Sequence, residues 1–309
     1  TPADIAKVTD MLLAAECPAI ITEESGRTAE GYNALIALAE TLAIPLVEGR
    51  FAPYANFPKD HPLYLGAGRP PVIDEADLIL MIASRQPWYP LANVPKNARI
   101  VTIDDTPFRD HVVYQPSSAE CFLEGDVAAN LALLVDALRQ AKIDETAITR
   151  RRARWEDTTV DRAAEARQIV TDAETDDTIS PALLAATLSR VAPEGTVFVD
   201  ETITHRPAIV RHLHSDGPMS YFRVHGGLGQ AMGVALGAKL AVPDRAVVTT
   251  LGDGTFLYNP AIQALAFART NNLATLTVVF NNHGYNAMRK DQEGYFPDGV
   301  AAKNDLWLG

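Results

Sequence analysis

Residues 246–254 read Ala-Val-Val-Thr-Thr-Leu-Gly-Asp-Gly, and 26 residues further on Asn281-Asn282 closes a second apolar run, Thr275–Phe280. Short, continuous Val/Leu/Ile/Phe runs separated by helical patterns read as strands covered on both faces, hence a parallel sheet. The segment Asn259–Thr270 between them has helical spacing, and a right-handed crossover makes the two strands neighbours. Gly-Asp-Gly and Asn-Asn then sit at one carboxyl edge, where ligands of open α/β sheets collect. One carboxylate and one amide oxygen face a common point there. Hard oxygen donors, too few to fill a shell and without Cys or His, suit Mg²⁺ or Ca²⁺ sharing its coordination with water and a phosphate. Gly252 and Gly254 allow the backbone to approach a diphosphate. A turn followed by an unrelated loop is the weaker reading, because both halves fall at strand ends at this spacing.

Outward from this stretch the same alternation runs through nearly the whole chain. Helical spacing marks Ile5–Ala15, Asn33–Ala43 and Asp126–Leu138. Strand-like runs mark Pro18–Thr22, Ile44–Val47, Ala76–Ala83 and Arg99–Ile103. Ser180-Pro181 supplies an N-cap and an N1 proline for a helix to Val191. Thr196–Val199 reads as a strand, Gly226–Leu240 as a helix and Arg245–Leu251 as a strand. The expectation is an α/β protein of two domains, each a mostly parallel sheet flanked by helices: residues 1–141, then 179–309. Between them, 142–178 is charged, holds Arg150-Arg151-Arg152 and Arg154, and suits an exposed connecting helix with a solvated arginine face.

Composition excludes several classes. A hydrophobic fraction of 47% against 21% charged residues is that of a globular chain. With 27 Lys+Arg, 39 Asp+Glu and a net charge of −12, no broad cationic surface is expected, which argues against nucleic acid as a partner. No apolar stretch reaches the roughly 20 residues that cross a bilayer. Cys17 and Cys121 stand alone, far apart; one disulfide or two buried thiols are open, and the thiol reading points to the cytoplasm. The chain opens Thr-Pro-Ala-Asp, with neither a signal peptide nor a Met, which reads as part of something longer.

Gly252-Asp-Gly254 with Asn281-Asn282 resembles the thiamin-diphosphate signature, and the flanks extend the likeness. Phe57–Gly66, Ser220–Gly229 and Ala241–Arg245 are similar to the acetolactate synthase, benzoylformate decarboxylase and pyruvate decarboxylase superfamily. The resemblance implies that residues 1–141 are its central domain. Residues 179–309 would be its diphosphate-binding domain, of thiamin-diphosphate-binding fold and cut short at the C-terminus. Asp253, Asn282 and the carbonyl of Gly284 would hold Mg²⁺. Thiamin diphosphate would meet Gly252, Gly254 and Thr255 at its phosphates, with Thr202, Thr204 and His205 holding the terminal one. Gly226, Gly227 and Leu228 would meet the rings, with Leu228 the apolar prop that keeps them folded together. Tyr285, with Asn286, Ala287 and Met288, would follow on the cofactor and substrate side. The implied activity is decarboxylation of a 2-oxo acid, the resulting enamine being protonated or used in carboligation. The glutamate that activates the aminopyrimidine belongs to a pyrimidine-binding domain not found here. Activity then requires that domain or subunit, within a homodimer or homotetramer. The alternatives are a non-catalytic cofactor-binding or regulatory fragment and a nucleotide-dependent oxidoreductase.

His225, just before the glycines, reads equally as a proton-transfer group and as an imidazole fixed at a pocket rim. Gly229, Gly233 and Gly237 recur every four residues and suit close packing of one helix face rather than a dinucleotide fingerprint. His283 points away while its backbone does the work; His61, His111, His212 and His214 are structural or surface residues. Trp88 and Tyr89 belong to an anchored strand-end loop. Asp104-Asp105 reads as a helix cap; some members place FAD or a nucleotide in this domain, but nothing else in the sequence supports FAD here.

Overall fold

The computed structural model describes residues 1–88, 91–108, 119–215 and 217–307; Tyr89 and His111 lie outside them. The chain divides into two compact units, Thr1–Ile169 with Asp216–Ser220, and Val170–Ser215 with Tyr221–Gly309.

The first unit is built on six strands: β1 (Pro18–Thr22), β2 (Leu46–Glu48), β3 (Tyr64–Ala67), β4 (Leu78–Ile82), β5 (Arg99–Asp104) and β6 (Cys121–Glu124). Their order is β3-β2-β1-β4-β5-β6, every pair parallel. All five residues of β1 and of β4 are buried, as unbroken apolar runs require. Helices α1 (Pro2–Ala14), α2 (Ala29–Leu42), α3 (Val72–Glu75) and α4 (Val127–Gln140) complete the unit with α5 (Glu145–Ala173). Their starts follow local chemistry. Thr1 and Asp4 form a capping box ahead of Pro2, Thr28 caps α2 through the Gly31 N–H, and Asp126 caps α4 through the Ala129 N–H at 2.7 Å.

The second unit has four parallel strands ordered β10-β9-β7-β8: β7 (Val197–Glu201), β8 (Tyr221–Arg223), β9 (Val247–Gly252) and β10 (Leu276–Phe280). Its helices are α6 (Pro181–Val191), α7 (Arg206–His212), α8 (Ala231–Ala241), α9 (Asp253–Tyr258), α10 (Ala261–Thr270), α11 (Asn286–Tyr295) and α12 (Val300–Asn304). Ser180 caps α6 through the Leu183 N–H at 3.1 Å. No helix among the described residues is long and apolar enough to cross a membrane.

Several expectations are corrected. The helix expected from Gly226 starts only at Ala231, because Gly226 (φ +99°) and Gly229 (φ +94°) take left-handed backbone that a helix excludes. Gly233 and Gly237 do lie on α8, but a Cβ added at either meets nothing within 4 Å, so they serve no close packing among the described residues. The helix expected from Asn259 begins at Ala261, and Asn259 instead ends α9. Nor is α5 a free connector: Ile148 and Trp155 are buried in the first unit's core, and Arg154 pairs with Glu75. Its arginine run is not uniformly solvated either, since Arg151 Nε and Nη1 are buried without hydrogen-bond partners. Asp104 closes a turn onto the Thr106 N–H at 2.8 Å and Asp105 pairs with Arg27 at 2.7 Å, so the cap read there is replaced by a turn and an ion pair. Cys121 is buried but Cys17 is only partly so, and both are free thiols. Trp88 is anchored in the core at 1% exposure.

Candidate functional site

Strands β7, β9 and β10 run side by side with Glu201 opposite Leu251 and Gly252 opposite Phe280, so their carboxyl ends coincide. β9 hands directly into α9: Gly252 is the N-cap and Asp253 the first helical residue, where a loop would have left it unfixed. Asp253 Oδ2 accepts the Gly284 N–H at 3.1 Å, which ties the carboxylate to the loop after β10. Asn282 Nδ2 lies 3.1 Å from His205 Nε2, and the Asn282 carbonyl accepts from Asn286 Nδ2 at 3.0 Å. The side-chain oxygen of Asn282 is buried and has no hydrogen-bond partner. A buried acceptor left open is costly unless something outside the chain fills it.

His205 precedes α7 and its ring lies against Phe280, centroids 5.7 Å apart. Burial holds its pKa below the ordinary imidazole value, and Lys290 adds to that while the Asp253 carboxylate opposes it. A ring kept neutral in this way keeps an acceptor or a single donor available beside Asn282. His283 takes a left-handed backbone (φ +61°) with its N–H donated to Asn281 Oδ1 at 2.9 Å and its side chain exposed. The loop from 282 to 284 is thereby turned back toward Asp253.

A cavity of about 380 Å³ opens beside Asp253, Gly254, Gly284 and Tyr285, with Leu257 and Asn281 on its wall. Gly254 is a close approach: a Cβ there would stand 2.8 Å from the Tyr285 ring. Thr255 is buried one residue on, and Thr204 is partly buried beside His205. Thr202 is engaged otherwise, its hydroxyl donating to Asp200 Oδ1 at 2.8 Å at 2% exposure. His225, Gly226, Gly227 and Leu228 form an exposed loop leading into α8.

Among the described residues no three His, Cys, Asp or Glu side chains converge as a metal set. One carboxylate, one open amide oxygen and backbone carbonyls therefore remain, a donor set that fits a hard divalent cation completed by ligand oxygens. A smaller cavity, of about 50 Å³, lies at the first unit's sheet edge beside Arg27, Thr28 and Asp105.

Two residues of this edge escape sequence reading. Glu201 is 3% exposed, and its carboxylate accepts the N–H groups of Gln230 and Ala231, each at 3.0 Å. Asn259 Nδ2 donates to the same carboxylate at 3.0 Å, and Asn259 Oδ1 accepts the Met232 N–H at 3.1 Å. A glutamate ending a strand and an asparagine before Pro260 look like surface and turn residues; only the packed fold buries them.

Comparison with known proteins agrees with the fold described above. The family model "Thiamine pyrophosphate enzyme, central domain" matches residues 5–134, and "Thiamine pyrophosphate enzyme, C-terminal TPP binding domain" matches residues 204–305. A benzoylformate decarboxylase of Pseudomonas aeruginosa is 27% identical over 93% of this chain and 52% of its own length. A probable 2-ketoarginine decarboxylase of the same organism is 30% identical over 96% of this chain and 52% of its own. The crystal structure of benzoylformate decarboxylase from Polynucleobacter necessarius shares the fold at a TM-score of 0.73 and 22% identity, over 97% of this chain and 55% of that one. The chain thus spans about half the length of the relatives it matches. Both of its units answering to domains of one kind of enzyme, the chain belongs to the thiamine pyrophosphate enzyme family.

Proposed function

We propose that this chain provides the diphosphate-binding site and central domain of a thiamin-diphosphate- and Mg²⁺-dependent enzyme that decarboxylates a 2-oxo acid, with protonation or carboligation as the outcome. The observation that carries the reading is the buried, unpartnered Asn282 Oδ1 beside the Asp253–Gly284 tie. In this reading Asp253, Asn282 and the Gly284 carbonyl hold the cation. Gly252, Gly254, Thr255, Thr204 and His205 receive the diphosphate, while Gly226, Gly227 and Leu228 meet the rings. Thr202 takes part only if its bond to Asp200 is given up. When bound, thiamin diphosphate supplies the carbanion stabilisation that decarboxylation needs. The chain's residues would orient it: Leu228 would serve as the apolar prop for its rings, and Tyr285, which packs against Gly254 at the cavity, would help to exclude water there. His225, exposed at the head of the loop, holds or moves a proton at the open side of the site. A pyrimidine-binding domain or subunit, a homodimeric or homotetrameric assembly and a cytoplasmic setting complete the proposal.

Calorimetry with thiamin diphosphate, with and without Mg²⁺, tests it. Binding that depends on the metal and is lost in Asp253→Ala is expected; tight binding indifferent to both would sink the assignment. Release of CO₂ from a panel of 2-oxo acids by the complete gene product then identifies the substrate.

A further inference from the structure

The loop that carries Leu228 is fastened at its far end and along its length by groups that touch no proposed ligand. At its C-terminal end the first backbone N–H groups of α8 are taken in series: Gln230 and Ala231 by the Glu201 carboxylate, Met232 by Asn259 Oδ1. Such amides carry the positive end of the helix dipole, so a carboxylate is the strongest acceptor for them. Glu201 and Asn259 are 3% and 6% exposed, and Asn259 Nδ2 joins them at 3.0 Å. The same Nδ2 donates to the Thr255 carbonyl at 3.1 Å, two residues beyond Asp253. Along the loop, Gly229 lies so near the Tyr258 carbonyl that a Cβ would collide with it. Three pieces of the edge, the end of β7, the start of α8 and the end of α9, are thus joined through two side chains.

We infer that Glu201 and Asn259 are positioning residues that set the separation between the Leu228 loop and the Asp253–Thr255 cradle. The inference rests on the reading of the site given above, because the separation matters only if one ligand spans both. A ring-bearing diphosphate held by its phosphates at α9 meets Leu228 at a distance these two residues determine. Glu201→Gln keeps size and shape but replaces one acceptor oxygen with a donor, which then faces backbone N–H or the Asn259 amide. The loop loosens while Asp253 and Asn282 are untouched.

Hydrogen–deuterium exchange of the ligand-free protein reads the first half. In Glu201→Gln the segment 225–232 should exchange about tenfold faster than in wild type, with β7 residues 197–199 unchanged. Calorimetry with inorganic pyrophosphate and Mg²⁺ should give a Kd within threefold of wild type, because the cradle is intact. Turnover by the complete gene product reads the second half. Glu201→Gln should lower kcat about tenfold alone but add less than twofold in a Leu228→Ala background, the non-additivity expected if one residue acts through the other. Asn259→Ser, a smaller perturbation, repeats the series if Glu201→Gln fails to fold. Unchanged exchange at 225–232, or effects that simply multiply with Leu228→Ala, would overturn the inference. A wild-type protein that ignores pyrophosphate would instead overturn the reading of the site, and the exchange rates would still show by themselves whether Glu201 holds the loop.

Discussion

Both units bury glutamates at the carboxyl edges of their sheets, and Glu23 of the first and Glu201 of the second are held in different ways. Glu23, just past β1, accepts the Phe51 N–H at 3.1 Å and meets Arg85 through both its backbone and its guanidinium, Nε at 3.0 Å. It is a neutralised pair that locks two loops, and Arg85 is 23% exposed at its side chain. Glu201 has no ion-pair partner among the described residues and is satisfied by helix amides and one asparagine. A carboxylate balanced by a cation fixes loops wherever they lie. One balanced by a helix start fixes the loop immediately before that helix, and in the second unit that loop carries Leu228. The difference is between holding a fold and aiming a segment.

Substitutions can break this contrast. Glu201→Ala takes the acceptor from the Gln230 and Ala231 N–H groups and one of the two acceptors from Asn259 Nδ2, and should cost about 3 kcal/mol in unfolding of the second unit. Denaturant titration measures it; a loss below about 1 kcal/mol would mean water replaces the carboxylate without penalty. Arg85→Ala strands Glu23, and because Arg85 is partly exposed the cost should fall to about 2 kcal/mol, below the 3–5 kcal/mol of fully buried pairs. An effect larger than that of Glu201→Ala would reverse the ranking. Asn259→Ala should cost about 1.5 kcal/mol, since water reaches only part of the freed network. The smallest effect is a pH slope confined to the second unit. Burial lowers the pKa of His212, with Arg211 and His214 adding to it. The unfolded chain therefore takes up the proton first, so stability is full above the ordinary imidazole range and declines as pH falls below it. Thermal melting between pH 7 and 5 should show the decline, and His212→Gln should reduce it, leaving the share that the similarly lowered His205 contributes.

Much of the architecture is legible in the sequence because it rests on local patterns. β1, α6 and β10 begin and end where apolar runs and the Ser180-Pro181 cap say they should. β3, β6 and β8 are not legible, having three or four residues each and no apolar run long enough to stand out. Their neighbours make them strands. The late start of α8 has a local origin instead: three of the five residues 226–230 are glycine, a poor helix former, and Gly226 and Gly229 take left-handed backbone. At the candidate site, Asp253 and Asn282 can be read at adjacent strand tips because their residue types and spacing are chemical. Glu201 and Asn259 cannot, because what they do depends on which amides the fold brings within 3.1 Å.

The Gly229 approach has one more consequence. Any side chain at position 229 would collide with the Tyr258 carbonyl, while the amides just beyond it are held by Glu201. A methyl group at position 229 would therefore lift the loop off the end of α9 and lengthen the span that a ligand of the proposed site has to bridge.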